Sequence, residues 1–107
     1  MAKLVSKVYG DALFEAAREA GRMDDMYEEV LELQKLLQAN EELQKMMENP
    51  KVIREDKENV IETVFRGRIS DEIVELMKLM IAKGRYSNIV SVFDYFIGLV
   101  KEEKKIG

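Results

Sequence analysis

Residues that break helices are rare in this chain, and their positions divide it into a few long segments. The sequence of 107 residues contains one proline and six glycines. Between them, apolar residues recur at the i, i+3 and i+4 spacing of an amphipathic helix, and no segment shows the alternation typical of a half-buried strand. Since short connections favour antiparallel neighbouring helices, the sequence predicts an all-α fold, a six-helix bundle in which residues 1–107 form a single helical domain.

The ends of the predicted helices are marked by residues with known preferences for helix termini. The helices are expected at residues 4–20, 24–38, 41–48, 54–65, 71–83 and 86–103. The expected stops are Gly21, Asn49-Pro50, Gly67 and Gly84, because glycine favours the C-cap and a residue before proline disfavours the helical conformation. The expected N-caps are Asp24 or Asp25, Asn40 and Ser70, whose side-chain oxygens can accept from free backbone N–H groups. Residues 101–105, at the end of the last helix, are expected to form a solvated, fraying tail.

The charge balance is acidic, which argues against two classes of partner. The chain has 21 acidic and 17 basic residues and a formal net charge of −4. Non-specific nucleic-acid binding depends on neutralising phosphates with lysine and arginine, and docking on anionic lipid depends on the same residues. The apolar runs fall short of the roughly 18 residues of a membrane span, and the first residues do not resemble a signal peptide. We therefore expect no nucleic-acid partner and no direct membrane insertion.

The residues that most often carry catalysis or bind metals are missing. The chain has no histidine and no cysteine, which removes the usual general base, the thiolate nucleophile and most zinc ligands. The glycines are scattered and form no phosphate-binding loop, and adjacent glutamates such as Glu28 and Glu29 fall on polar helix faces. The sequence thus predicts no catalytic, cofactor-binding or metal residues, and it favours a binding module over an enzyme.

The first predicted helix carries more apolar surface than a single core contact requires. Its main stripe consists of Val5, Val8, Tyr9, Ala12, Leu13, Ala16 and Ala20. Gly10, Phe14 and Ala17 form a second, adjacent sector, so that the apolar arc covers roughly two-thirds of the circumference, beyond the ~100° that a surface helix needs. Two interpretations are open: the helix is central and buried on most sides, or part of its arc faces a groove.

The fifth predicted helix places one leucine away from its core stripe. The stripe consists of Ile73, Val74, Leu76, Met77, Met80 and Ile81, whereas Leu79 falls on the other side, among charged residues. An isolated exposed leucine is common in folded proteins, but an apolar groove flanked by charge is also how a helical bundle accepts a foreign amphipathic helix. Leu79 is therefore a candidate contact residue.

Short motifs along the whole chain resemble those of a known family. Tyr9-Gly10-Asp11-Ala12-Leu13-Phe14 is similar to the Tyr-x-x-Ala-Leu-Phe signature in the first helix of the delta subunit of F-type ATP synthase, whose mitochondrial counterpart is the oligomycin-sensitivity-conferring protein. The motifs that follow in the family's order are Asn40-Glu41-Glu42-Leu43, Asn49-Pro50-Lys51-Val52, Val60-Ile61-Glu62-Thr63-Val64-Phe65, Ile69-Ser70 and Lys83-Gly84-Arg85. Each motif alone is weak, but the ordered set is specific, and the chain resembles the N-terminal domain of that subunit.

The resemblance implies a non-catalytic role in the stator, or peripheral stalk, of an ATP synthase. In that family the domain binds the N-terminal helix of an alpha subunit in a groove between its first and fifth helices, at the top of the catalytic head. Carried over to this chain, the partner-binding residues would be Tyr9, Ala12, Leu76 and Leu79. ATP synthesis and hydrogen ion transport would belong to other subunits, and the chain would be membrane-associated only through the complex, on the cytoplasmic side of the inner or plasma membrane.

Two features depart from the family's pattern. A complete delta subunit continues into a C-terminal domain that contacts the b subunits of the stalk, so contact with b subunits is expected only through a domain that this sequence does not contain. Ile53 stands where many members have serine or threonine before the fourth helix, so the start of that helix is the least well defined.

Two alternatives to the stator function come from other classes of protein. One is an RNA-binding helical bundle that resembles the transcription antitermination factors, which share a similar all-helical architecture and would favour a basic face. The basic residues Lys3, Lys7, Arg18, Arg22, Arg54, Arg66, Arg68 and Arg85 are interspersed with acidic ones instead. The other alternative is a generic helical scaffold or oligomerisation domain.

Without histidine, cysteine or a phosphate-binding loop, the chain should neither hydrolyse ATP nor bind zinc. Isothermal titration calorimetry of the purified chain with ATP and with Zn²⁺ should show no stoichiometric binding at micromolar affinity. A saturable isotherm with either ligand would reveal a site that these residue types do not indicate.

Overall fold

Six α-helices and one short 3-10 turn make up the computed structural model, which describes residues 2–106 and the side chains of residues 4–105. The helices are α1 (Ala2–Ala20), α2 (Met23–Ala39), α3 (Glu41–Glu48), α4 (Arg54–Phe65), α5 (Asp71–Ala82) and α6 (Ile89–Ile106), with the 3-10 turn at Tyr86–Asn88. Residues 2–106 contain no strand, and one isolated bridge joins Arg66 to Ile69. The predicted all-α, six-helix bundle is confirmed, and each helix begins and ends close to its predicted bounds.

Two helix ends are formed by glycines with positive φ, as the sequence predicts. Gly21 has a φ of 66°, and its N–H donates to the Arg18 carbonyl at 3.1 Å. The next N–H, of Arg22, donates to the Ala17 carbonyl at 3.1 Å. This is the Schellman arrangement, in which a left-handed residue closes the last turn of a helix. Gly84, with a φ of 70°, follows α5 in the same way.

The predicted N-caps of α2 and α3 have different outcomes. Asn40 caps α3 as predicted, because its side-chain oxygen accepts from the Leu43 N–H at 3.1 Å. The prediction for α2 is wrong: Asp24 and Asp25 lie inside its first turn, and Arg22 holds the N-cap position without a side-chain cap. Negative charge in a first turn still interacts favourably with the helix dipole, so the two aspartates act through charge instead of a capping hydrogen bond.

Ser70 occupies the N-cap position of α5 as predicted, but its side chain does not cap the helix. The hydroxyl is buried and has no hydrogen-bond partner among the described residues. Instead, the Ser70 N–H donates to the Glu29 carboxylate at 2.7 Å. An acidic side chain from α2 thus supplies the negative charge that the beginning of α5 favours.

The centre of the core is the contact of α1 with α6. Its largest buried side chains include Phe93 and Phe96 of α6 and Leu13 of α1. The two helices are in close contact at Gly10, where an added Cβ would overlap Cδ1 of Tyr95 and lie 3.1 Å from its Cγ. Buried residues of the other helices complete the same cluster, among them Met26, Val30, Ile61, Ile73, Met77 and Met80.

The orientation of α1 shows which of its two apolar sectors faces the core. The second sector, Gly10, Phe14 and Ala17, is buried together with Leu13. Most of the predicted main stripe is open, and Val8 is 54% exposed. The half-buried or exposed residues of that stripe are Val5, Tyr9, Ala12, Ala16 and Ala20. Because Gly10 has no side chain, Tyr95 of α6 packs closely against this sector of α1. Part of the apolar arc is therefore left for another contact.

The end of α6 continues as a helix where the sequence predicts a fraying tail. The helix extends to Ile106, although the side chains of residues 101–105 are exposed as expected. Glu103 pairs with Arg18 at 3.2 Å, and Lys104 pairs with Asp24 at 2.6 Å. These ion pairs are weak individually because they are exposed, but they connect the last turns of α6 to α1 and α2.

Replacing Gly10 with alanine should destabilise the fold, whereas the same replacement at Gly98 should stabilise it. A methyl group at Gly10 would overlap the Tyr95 ring, and overpacking of this kind costs about 1–3 kcal/mol. An added Cβ at Gly98 meets no atom within 4 Å, so Gly98→Ala should gain ~0.5–1 kcal/mol of helix propensity. Urea unfolding followed by circular dichroism measures both changes. Equal stabilisation by the two variants would show that Tyr95 moves aside freely and that the α1–α6 contact is not close-packed.

Candidate partner-binding groove

An open groove lies between α1 and α5, because these helices do not cover each other's apolar faces. It encloses about 430 Å³. Its lining residues are Ala12, Leu13 and Ala16 from α1 and Asp71, Glu72, Glu75, Leu76 and Leu79 from α5. The floor is apolar, while the carboxylates all belong to α5. An apolar trough with charge along one side matches the two faces of an amphipathic helix.

Three of the four partner-binding residues predicted from the resemblance lie together in this groove. Leu76 is 6% exposed and belongs to the floor, whereas Leu79 is 45% exposed. Ala12 is exposed on the facing helix, α1. The surface position of Leu79 therefore agrees with its place outside the core stripe of α5.

Tyr9, the fourth predicted residue, is not among the lining residues of the groove. It is half-buried and packs against the core cluster. Because it lies three residues before Ala12, it occupies the same side of α1, about one turn closer to the N-terminus. Its role as a partner-binding residue stays a prediction.

The sequence analysis did not identify the acidic side of the groove or the contribution of Ala16. Asp71 and Glu72 lie in the first turn of α5, where acidic residues are expected because they interact favourably with the helix dipole. Their place in the sequence therefore gave no sign of a binding role. Ala16 lies four residues after Ala12, and the two were placed on one stripe of α1, but only Ala12 was assigned to the groove.

The C-terminal end of α1 lies beside the N-terminal end of α5. Glu29 shows this, because its carboxylate accepts from Arg22, just after α1, at 3.3 Å and from the Ser70 N–H, just before α5, at 2.7 Å. The two helices therefore run in opposite directions along the groove. Ala16 lies toward the beginning of α5, and Tyr9 lies toward its end.

Arg66 binds carboxylates from both α4 and α5 and holds these two helices together. Its guanidinium donates to the two oxygens of Glu62 at 2.7 and 2.8 Å, a bidentate arrangement that fixes geometry as well as charge. It also donates to Asp71 at 3.2 Å and to Glu75. Lys78 donates to Glu62 at 2.9 Å. Two of the carboxylates that line the groove are thus held in place and partly neutralised.

The same contacts shift the ionisation of the groups involved. Hydrogen bonds from Arg66 and then Lys78 lower the pKa of Glu62 from its ordinary value of 4.5 to about 2. The hydrogen bond to Glu62 in turn raises the pKa of Lys78 and is the largest cause of the raised pKa of Arg66. Glu62, Arg66 and Lys78 are therefore all charged at neutral pH.

A larger cleft lies between α2, α3 and the connection from α4 to α5. It encloses about 1070 Å³, and its apolar residues include Leu33, Phe65 and Ile69, together with Leu36, which is 45% exposed. The sequence analysis did not identify this cleft. Leu36 could have indicated the cleft, because it is not among the buried residues of α2, as Leu79 is not among those of α5.

Within the described residues, two other kinds of feature are absent: a metal-binding group of acidic side chains and a membrane-spanning helix. Nowhere in that part of the chain do three or more acidic side chains come together in a group that could hold a metal ion. None of its helices combines the length and the apolar content needed to cross a membrane.

Acidic side chains neutralise part of the basic surface that was considered for RNA binding. Lys7, Arg18, Arg22 and Arg66 are each paired with acidic side chains. The side chain of Lys3 lies outside the described residues. This interleaving of charge gives no support to binding through the phosphate backbone.

The sequence profile of one protein family, described as "ATP synthase delta (OSCP) subunit", matches residues 5–107. The chain belongs to this family. The resemblance drawn from the short motifs is therefore confirmed. The chain is assigned to this family instead of to the transcription antitermination factors.

Relatives named "ATP synthase subunit delta" match nearly all of the chain. The protein from Lachnoclostridium phytofermentans is 43% identical over 107 residues, which is 100% of this chain and 59% of the relative. The protein from Lactobacillus delbrueckii subsp. bulgaricus is 31% identical over 92% of this chain and 54% of its own length. The protein from Acetivibrio thermocellus is 30% identical over 97% of this chain and 58% of its own length. The chain thus spans less than two thirds of the length of these relatives.

Acid should reduce the stability of the parent chain more than that of a Glu62→Gln variant. Because the pKa of Glu62 is lower in the folded state, its ion pairs stabilise the fold above about pH 4.5 and lose this contribution as the pH falls toward about 2. Thermal melts of the two chains over this range should show a stability difference at neutral pH that narrows in acid. The difference should be modest, because the side chains involved are partly exposed to solvent. A difference that does not vary with pH would contradict the assignment of the shift to Glu62.

Proposed function

We propose that this chain is a non-catalytic stator module of an F-type ATP synthase, which binds the N-terminal helix of an alpha subunit in the groove between α1 and α5. The observation that carries the proposal is the open apolar groove formed by Ala12, Leu76 and Leu79. Membership of the delta-subunit family supplies the complex in which such a groove would be used. The N-terminal helix of the alpha subunit would lie along the groove with its apolar face against the groove floor.

The groove suits a helix better than an extended peptide or a small ligand. An extended peptide is usually recognised by backbone hydrogen bonds to an exposed sheet edge, and residues 2–106 contain no strand. A docked helix needs only apolar contact from residues at i, i+3, i+4 and i+7. The 12 residues of α5 provide a wall of ~18 Å, enough for about three turns of the guest.

A structural role also agrees with the chemistry of the surface. Two of the three carboxylates beside the groove, Asp71 and Glu75, form ion pairs with Arg66 that join α4 to α5, which is a structural use of these groups. In this proposal catalysis and proton movement belong to other subunits. The chain would be held at the membrane by the complex, on its cytoplasmic side, and contact with b subunits would involve the part of the family's length that lies beyond this chain.

Leu79→Asp should weaken binding of a synthetic peptide of about 20 residues, some five helical turns, that represents the N-terminus of the alpha subunit. The variant loses an apolar contact and places a charge where the peptide removes water. Together these effects should cost about 2 kcal/mol or more, which is roughly 30-fold in affinity. Isothermal titration calorimetry with each chain measures the change.

Leu36→Asp is the matched control, because Leu36 and Leu79 are both leucines in helices and both are 45% exposed. It should bind the alpha peptide as the parent does, since Leu36 lies on α2, outside the groove. Unfolding of Leu79→Asp would place Leu79 in the core. A folded Leu79→Asp chain with parental affinity would place the alpha site elsewhere, and equal losses in both variants would mean that the peptide binds exposed leucines without a defined site.

A further inference from the structure

The cleft between α2 and α3 is formed by a sharp change of chain direction. Asn40 is the single residue between the two helices and caps the second of them, so the helices diverge immediately on either side of it. The connection from α4 to α5 lies between them and contributes Phe65 and Ile69 to the floor. Leu33 is buried against this floor, whereas Leu36 is left open.

The rim of this cleft is strongly acidic. The charged residues that line it are the acidic Glu28, Glu29, Glu32, Glu41 and Glu42 and the basic Lys35 and Arg68. Of the five glutamates, only Glu29 takes part in an ion pair within the described side chains. The negative charge of the other four is therefore available to a partner.

We propose that this cleft binds a basic amphipathic helix of a partner protein, whose apolar face covers Leu36 and whose lysines or arginines lie against the glutamates. The apolar floor and acidic rim complement the two faces of such a helix, and opposite charges across an interface guide binding and select the partner. A small anion or an acidic segment would meet repulsion from the rim. The proposal does not depend on the function of the groove, because the cleft and the groove have no lining residue in common.

The location of the cleft permits both sites to be occupied at once. The groove is formed by α1 and α5, whereas the cleft is formed by α2, α3 and the α4–α5 connection. Glu29 is the link between them, because it lines the cleft and also holds Ser70 at the beginning of α5. A module with two separate helix-binding sites can hold two segments of an assembly in a fixed relation.

The test uses a synthetic amphipathic helix made of leucine and lysine, together with a twin in which glutamate replaces every lysine. Both are titrated into the full chain carrying Leu79→Ser, which weakens the groove, and backbone amide shifts are followed by NMR. The lysine peptide should shift amides of α2 and α3 around Leu36 and Asn40, whereas the glutamate twin should not bind. Binding of both twins, or shifts confined to α1 and α5, would overturn the proposal.

Two variants of the cleft decide between specific docking and general attraction to an acidic surface. Adding Leu36→Ser should weaken binding of the lysine peptide about tenfold through lost apolar contact, and adding Glu32→Gln should weaken it about threefold. Glu102→Gln, an exposed glutamate on α6, is the matched charge control and should have no effect. The cleft is not a docking site if all three variants bind the lysine peptide as the background chain does. The same conclusion follows if the two glutamate variants lose affinity equally while Leu36→Ser loses none, because the attraction to the acidic surface is then only general.

Discussion

The close contact between α1 and α6 at Gly10 determines which surface of α1 remains free. The absence of a side chain at Gly10 lets Tyr95 pack directly against the helix backbone, and Leu13, Phe14 and Ala17 are buried around it. The residues of the opposite side of α1, among them Val8 and Ala12, stay exposed. Once α6 occupies the side of Gly10, the side of Ala12 is left open beside α5.

Ion pairs that involve α5 also hold the groove in shape. Arg66 connects Glu62 of α4 with Asp71 and Glu75 of α5, so α5 is fixed against its neighbour by side chains outside the groove floor. Glu29 fixes its beginning through Ser70. A preformed site loses less conformational entropy when a partner binds, and the apolar contacts of the floor then contribute more fully to affinity.

Apart from the N-cap of α2, the sequence predicted features that depend on a few neighbouring residues and failed where distant residues decide. Helix bounds, the Asn40 cap and the exposed Leu79 follow from local preferences and from periodicity, and all three agree with the structure. The side of α1 that faces the core could not be predicted, because a wide apolar arc defines no single direction. Packing against α6 determines which side is buried. The carboxylate that accepts from the Ser70 N–H, at the beginning of α5, comes from Glu29, 41 residues away in the chain, which no local pattern indicates.

Whether the α1–α5 groove is the binding site of the alpha subunit can be tested without substitution, by methyl NMR during titration with the alpha N-terminal peptide. The methyl groups of Ala12, Leu76 and Leu79 line the groove, while those of Leu36 report on the cleft between α2 and α3. We expect the three groove residues to shift together in a saturable manner while Leu36 stays unchanged. Saturable shifts at Leu36 with none at Ala12, Leu76 and Leu79 would contradict the assignment of the groove.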